Sequence, residues 1–161
     1  MKKLLLLFLL LTPNSEALEI SNFKSGYACT DNETFGWICH ETKDIYITGQ
    51  SKCVYDGKEK PCTWHGFQFD YKSNKGEEIF CDYVTSTRIN HGNPNEVLGY
   101  DDKGSYSFTL EKKEGSFYNP QYFIFSLADS EEQILRSKTE CKVDNKVIFK
   151  FEHRYHFPTQ N

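Results

Sequence analysis

Every second residue from Val147 to Phe157 belongs to one of two sets, a pattern kept for eleven positions. Val147, Phe149, Phe151, His153, Tyr155 and Phe157 fall on one side, and Ile148, Lys150, Glu152, Arg154 and His156 on the other. A period of two matches the pleat of an extended strand, in which one face is buried and the other meets water. Ser105 to Glu111 repeats the pattern, with Tyr106, Phe108 and Leu110 opposed to Ser105, Ser107, Thr109 and Glu111. The run Tyr122 to Leu127 is apolar on both sides, which predicts a central strand or one lining a second cluster.

Turn chemistry separates these runs. Asp101-Asp102-Lys103-Gly104, Lys112-Lys113-Glu114-Gly115 and Asp144-Asn145 each read as a hairpin connection. In the first half, strands are expected over 26–31, 35–40, 44–49, 51–55, 61–71 and 77–85. Composition agrees: the chain holds 13 Phe, 10 Tyr and 2 Trp, while Ala stands only at positions 17, 28 and 128. Aromatic residues favour strands and alanine favours helices. The expected fold is all-β, an antiparallel meander forming a single barrel or a two-sheet sandwich. At most one short helix is expected, at the capping-box segment Asp129-Ser130-Glu131-Glu132 before Ile134-Leu135.

The N-terminus predicts export. Lys2 and Lys3 precede the apolar stretch Leu4–Leu11, and Ser15-Glu16-Ala17 offers a cleavage site, so residues 1–17 read as a secretory signal peptide. The stretch is well short of the roughly 20 residues a spanning helix needs. A product without a membrane anchor is therefore expected, with residues 18–161 forming one β-rich domain in the periplasm or outside the cell. Six cysteines follow the leader: Cys29, Cys39, Cys53, Cys62, Cys81 and Cys141. An even set in an oxidising compartment reads as three disulfides. Cys53 and Cys62 are equidistant from the Gly57-Lys58 midpoint, and a turn there would set them opposite each other. Cys29 and Cys39 bracket the polar Asp31-Asn32-Glu33-Thr34, which leaves Cys81 with Cys141.

The formal charge is −4, and loss of Lys2, Lys3 and Glu16 leaves the exported chain one unit more negative. Binding to nucleic acid needs clustered Lys and Arg, so that partner is not expected. No cofactor motif, metal-ligand spacing or nucleophile motif occurs, and no catalytic residue is assigned. His153 and His65 share apolar faces with aromatic neighbours and read as core histidines. With a carboxylate they are the candidates for a small exported hydrolase. The aromatic residues offer more: Trp37 and Trp64, with the loop expected at Tyr118-Asn119-Pro120-Gln121-Tyr122, suit stacking on a sugar or holding a protein. On the sequence alone, the chain is an exported, non-enzymatic binding protein for a protein partner or a surface glycan. A carrier enclosing a small apolar ligand in an open barrel is the second reading.

Overall fold

The computed structural model describes residues 18–29, 36–73, 76–126 and 134–159. Its strands are β1 (Glu19–Cys29), β2 (Trp37–Glu41), β3 (Asp44–Tyr46), β4 (Ser51–Tyr55) and β5 (Lys58–Lys72), followed by β6 (Glu77–Gly92), β7 (Val97–Leu110), β8 (Glu114–Ile124), β9 (Ile134–Val143) and β10 (Lys146–His156). No described residue is helical. The predicted leader at 1–17, the Asp31–Thr34 turn and the capping-box segment Asp129–Glu132 lie outside the described residues; Ile134 and Leu135 open β9.

The strands form two five-stranded sheets, one curled into a half-barrel. In the first sheet β5 is long enough to take two partners in succession along one edge. Residues 65–72 pair with β1 and residues 58–62 with β4, while β8 occupies the opposite edge from Cys62 to Lys72. β2 continues the sheet beyond β1. The second sheet runs β3-β10-β9-β6-β7. Its one departure from antiparallel pairing is β3, which lies parallel to β10 through Asp44↔Arg154 and Ile45↔Tyr155.

Three local expectations are corrected. The Asp101–Gly104 cluster is no turn, because β7 runs through it unbroken and the β6–β7 connection lies at Asn93–Glu96, where Asn93 accepts the Asn95 and Glu96 amide protons. Charged residues are tolerated there because β7 is an edge strand, and charge on an edge guards against pairing with another chain. The Lys112–Gly115 segment connects β7 to β8 but makes no hairpin, since β7 pairs with β6 and β8 with β5. It carries the chain from one sheet to the other, and Phe108 stacks on Phe117 across the crossing at 4.1 Å. In β10 a register shift between Val147 and Phe149 turns Val147 outward, 38% exposed, and packs Ile148 against the core. From Phe149 onward the predicted alternation holds.

The disulfides join Cys29 to Cys39, Cys53 to Cys62 and Cys81 to Cys141. Cys81 and Cys141 are directly opposed on β6 and β9. Cys53 and Cys62 are not: the β4–β5 turn is Asp56-Gly57, with φ of 51° and 66°, so Tyr55 faces Lys58 and Cys53 faces Lys60. Asp-Gly is a favoured pair for a two-residue hairpin with both φ positive, which moves the turn one residue from the expected midpoint. The disulfide then runs diagonally along one face, with Cα atoms 5.8 Å apart.

Between the sheets lies a core of rings. Phe67 on β5 meets Phe23, Phe69, Phe108, Phe117, Phe149 and Phe151, contributed by strands of both sheets, with centroids 5.1 to 6.3 Å apart. Such separations are those of favourable aromatic pairs. A second cluster of Ile45, Ile47, Leu135 and Tyr155 continues this core toward β3, with Tyr27, Ile89, Phe123 and Phe157 packed against it. The outer side of the second sheet carries ion pairs beside exposed apolar residues: Lys142 bridges Asp82 and Glu140, Lys150 pairs with Glu140, and Arg154 with Asp44, while Phe80 and Val84 are exposed.

Candidate functional site

Of the six residues singled out for binding, three, Trp64, Tyr118 and Tyr122, gather on the side of the first sheet turned away from the second, while Trp37 opens the neighbouring β2 opposite Cys29. The segment Tyr118–Tyr122 is strand, not loop, and its register on β5 decides which way each residue faces. Phe117 and Phe123 point into the core clusters, so Tyr118, Pro120 and Tyr122 face outward. Asn119 and Gln121 therefore face inward, and the Gln121 side chain approaches the Tyr106 hydroxyl rather than solvent. The sequence pattern contained this alternation, but a Pro flanked by amides resembles a loop.

On the outer side, Trp64 and Tyr122 are cross-strand partners and meet edge to face at 5.0 Å. The Tyr122 hydroxyl donates to the Val54 carbonyl at 2.6 Å, tying β8 to β4 across β5. Tyr118 pairs with Gln68, whose side-chain oxygen accepts the Ile38 amide proton at 2.6 Å. This holds the start of β2 over the sheet, and Gly36 lies against the Tyr118 ring. Trp37 follows immediately and is 38% exposed. Between the two rungs stand Gly66 and Pro120. A Cβ on Gly66 would lie 2.1 Å from the Asn119 carbonyl oxygen, so only glycine lets β8 approach this closely. At the far end of this face the tip of the β6–β7 hairpin closes on the β4–β5 turn, where the Gly57 amide donates to the Pro94 carbonyl at 2.7 Å.

Two carboxylates elsewhere, Asp70 and Asp44, are engaged in hydrogen bonds. Asp70 accepts from Asn22 at 2.7 Å and from Ser116 at 2.6 Å, and these bonds hold its carboxyl below the usual range. It borders an open groove of about 860 Å³ that also takes in Glu19, Lys72 and Glu114. A smaller groove, about 330 Å³, lies beside Tyr46, which stacks on His156 at 4.4 Å. His156 contacts Asp44 at 2.7 Å, and this bond, helped by Arg154, lowers the Asp44 pKa. Among the described residues, no group of three or more His, Cys, Asp or Glu is placed to hold a metal ion.

The histidines considered for hydrolysis are both buried at 2% exposure. His65 Nδ1 lies 3.5 Å and His153 Nδ1 3.2 Å from the same Tyr155 hydroxyl. Burial pushes the His153 pKa down to about 4 and that of His65 well below its ordinary value, so both are neutral at neutral pH. The sequence placed each on an apolar face. It contained no signal that the two would meet, because their encounter depends on how the sheets face each other.

No family model and no curated protein matches the chain. A structure of the Pseudomonas fluorescens alkylpurine DNA glycosylase AlkC, bound to DNA containing an abasic site analog, is similar over 86% of this chain and 30% of that one, at 9% identity and a TM-score of 0.38. The chain thus spans under a third of that protein, and a likeness this distant says nothing about activity.

Proposed function

We propose that the chain is an exported, non-enzymatic binding protein whose contact surface is the outer side of the first sheet, centred on Trp64, Tyr118 and Tyr122, together with Trp37 at the adjoining start of β2. The observation that carries this reading is the gathering of Trp64, Tyr118 and Tyr122 on that one side, with Gly36, next to Trp37, against the Tyr118 ring. Rigid rings with a polar edge suit stacking on a glycan or anchoring a protein surface. Three disulfides fit an oxidising compartment, which accords with the leader read from residues 1–17. The rings packed around Phe67 and the burial of His65 and His153 support this reading over an open-barrel carrier or a hydrolase.

Trp37 and Trp64 are the two tryptophans of the chain, so indole emission reports on this surface and on the adjoining start of β2. Oligosaccharides and protein fractions that native mass spectrometry shows bound should shift the emission, with Trp37→Phe and Trp64→Phe each removing part of the response. Trp64→Ala should weaken binding by 10-fold or more, roughly the loss of one well-packed aromatic anchor. A bound partner that leaves both emissions unchanged would place the contact surface elsewhere.

A further inference from the structure

His65 on β5 and His153 on β10 belong to different sheets, yet both rings turn to the Tyr155 hydroxyl. That hydroxyl has one proton to give. It donates to one imidazole and accepts from the other, so both bonds are kept only while one of the two Nδ1 atoms carries no proton. His153 Nε2 is buried without a hydrogen-bond partner, so a proton placed there meets no acceptor in the protein.

The surroundings supply no counter-charge. The cross-strand neighbours of His65 are Tyr27 on β1 and Gln121 on β8, and Phe123 stacks on its ring at 5.6 Å. His153 is opposed by Ser137 on β9 and touches Phe151. From β7, Tyr106 faces Tyr155; its hydroxyl is pushed up to about 12 by burial and by the approach of Tyr83 on β6, partly offset by Gln121. None of these groups is an anion in the acid to neutral range.

We propose that the His65–Tyr155–His153 cluster is an acid-sensitive latch between the two sheets. Protonation of either imidazole leaves a positive charge in a ring-lined interior, and β5 and β10 separate to hydrate it. The movement reaches the outer side of the first sheet by one step along the chain: Trp64 precedes His65, and Tyr122 precedes the Phe123 that stacks on it. The latch acts on the fold whether or not that surface binds a partner.

The direction follows from linkage. The unfolded chain takes up the His153 proton near 6.5 and the folded chain near 4, so stability is lost as pH falls between those values. From His153 alone the unfolding equilibrium constant rises about 20-fold from pH 7 to pH 5 and about 120-fold to pH 4. His65 adds to this in the same direction. The carboxylates held low by their partners, Asp44, Asp70, Asp101 and Glu140, lose their contribution only as pH falls through and below 4.5, the highest of their ordinary values.

The test is urea unfolding followed by Trp64 emission in a Trp37→Phe background at pH 8, 6.5, 5.5 and 5. The parent should lose stability steadily below pH 6.5; His153→Phe should lose less, and His65→Phe/His153→Phe should be nearly flat. His156→Gln, which alters a surface pair with Asp44, should follow the parent. A double variant with the same acid loss as the parent overturns the latch. Should the double variant fail to fold, imidazole NMR of the parent decides: both rings should stay neutral until the signals of Trp64 and Phe123 change with them. Either ring titrating near 6.5 in an unaltered fold refutes it.

Discussion

Removing the three disulfides one at a time, each pair as Cys→Ala, should produce unequal losses that the structure ranks. Cys81 and Cys141 enclose 60 residues, against 10 for Cys29 and Cys39 and 9 for Cys53 and Cys62. In the chain-entropy treatment these closures contribute about 4.3, 2.7 and 2.6 kcal/mol respectively. Packing then separates the two short loops. Cys81 and Cys141 are fully buried in the core cluster, and Cys53 and Cys62 are buried nearly as deeply, whereas Cys39 is exposed. Each buried sulfur lost costs about 1 kcal/mol more, on the scale of one buried methylene. The expected losses are therefore about 6, 5 and 3 kcal/mol, in the order 81–141, 53–62, 29–39. Urea unfolding of the oxidised protein and the three double variants reads them as midpoints. With a slope of 1–3 kcal/mol per molar for small proteins, the first and last variants should differ by about 1 M or more. Midpoints that coincide, or a larger loss from the 29–39 pair, would refute the reasoning that loop length and burial together set the contribution.

Two further substitutions test how the outer side of the first sheet is built. Gly66→Ala sets a methyl against the Asn119 carbonyl and must push β8 off β5, at a cost of about 1–3 kcal/mol, while Gly99→Ala, with open space around it, should leave the thermal midpoint unchanged. Tyr122→Phe keeps the ring on Trp64 but deletes the bond to Val54, which should lower stability by about 0.5–1.5 kcal/mol in the same melts; no change would mean that β4 is held by its hairpin and disulfide alone.

Much of this molecule was readable from short-range pattern, and what was not depends on long-range pairing. The alternation from Phe149 to Tyr155 names a half-buried strand without reference to any neighbour, and Asp144-Asn145, with φ of 47° and 63°, closes the β9–β10 hairpin where it was expected. The bulge at Ile148 left no trace in the sequence, because either Val147 or Ile148 could face the core. Asp101–Gly104 looked like a turn because composition reports solvent exposure, which an edge strand shares with a loop. The parallel β3–β10 pair and the passage of the chain between sheets at 111–113 are set by topology, which periodicity does not encode. The candidate surface shows the same division. Tyr118 and Tyr122 were recognisable as unusual, but the pairing of Trp64 with Tyr122 required the register of β5 on β8, and that register sent Asn119 and Gln121 inward. His65 and His153 read as core residues and are buried, yet their common partner Tyr155 emerged only with the sheets face to face.

The claim on which the rest depends is that the outer side of the first sheet is the surface this protein uses. Oxidative footprinting of the protein in the unfractionated extract of the cells and medium that produce it, compared with the purified chain, tests it without requiring that the partner be identified. Trp37, Trp64, Tyr118 and Tyr122 should be protected in the extract, while the exposed Tyr46 and Tyr100 should label equally in both. Protection of Tyr46 or Tyr100 with unchanged labelling of the two tryptophans would contradict the account.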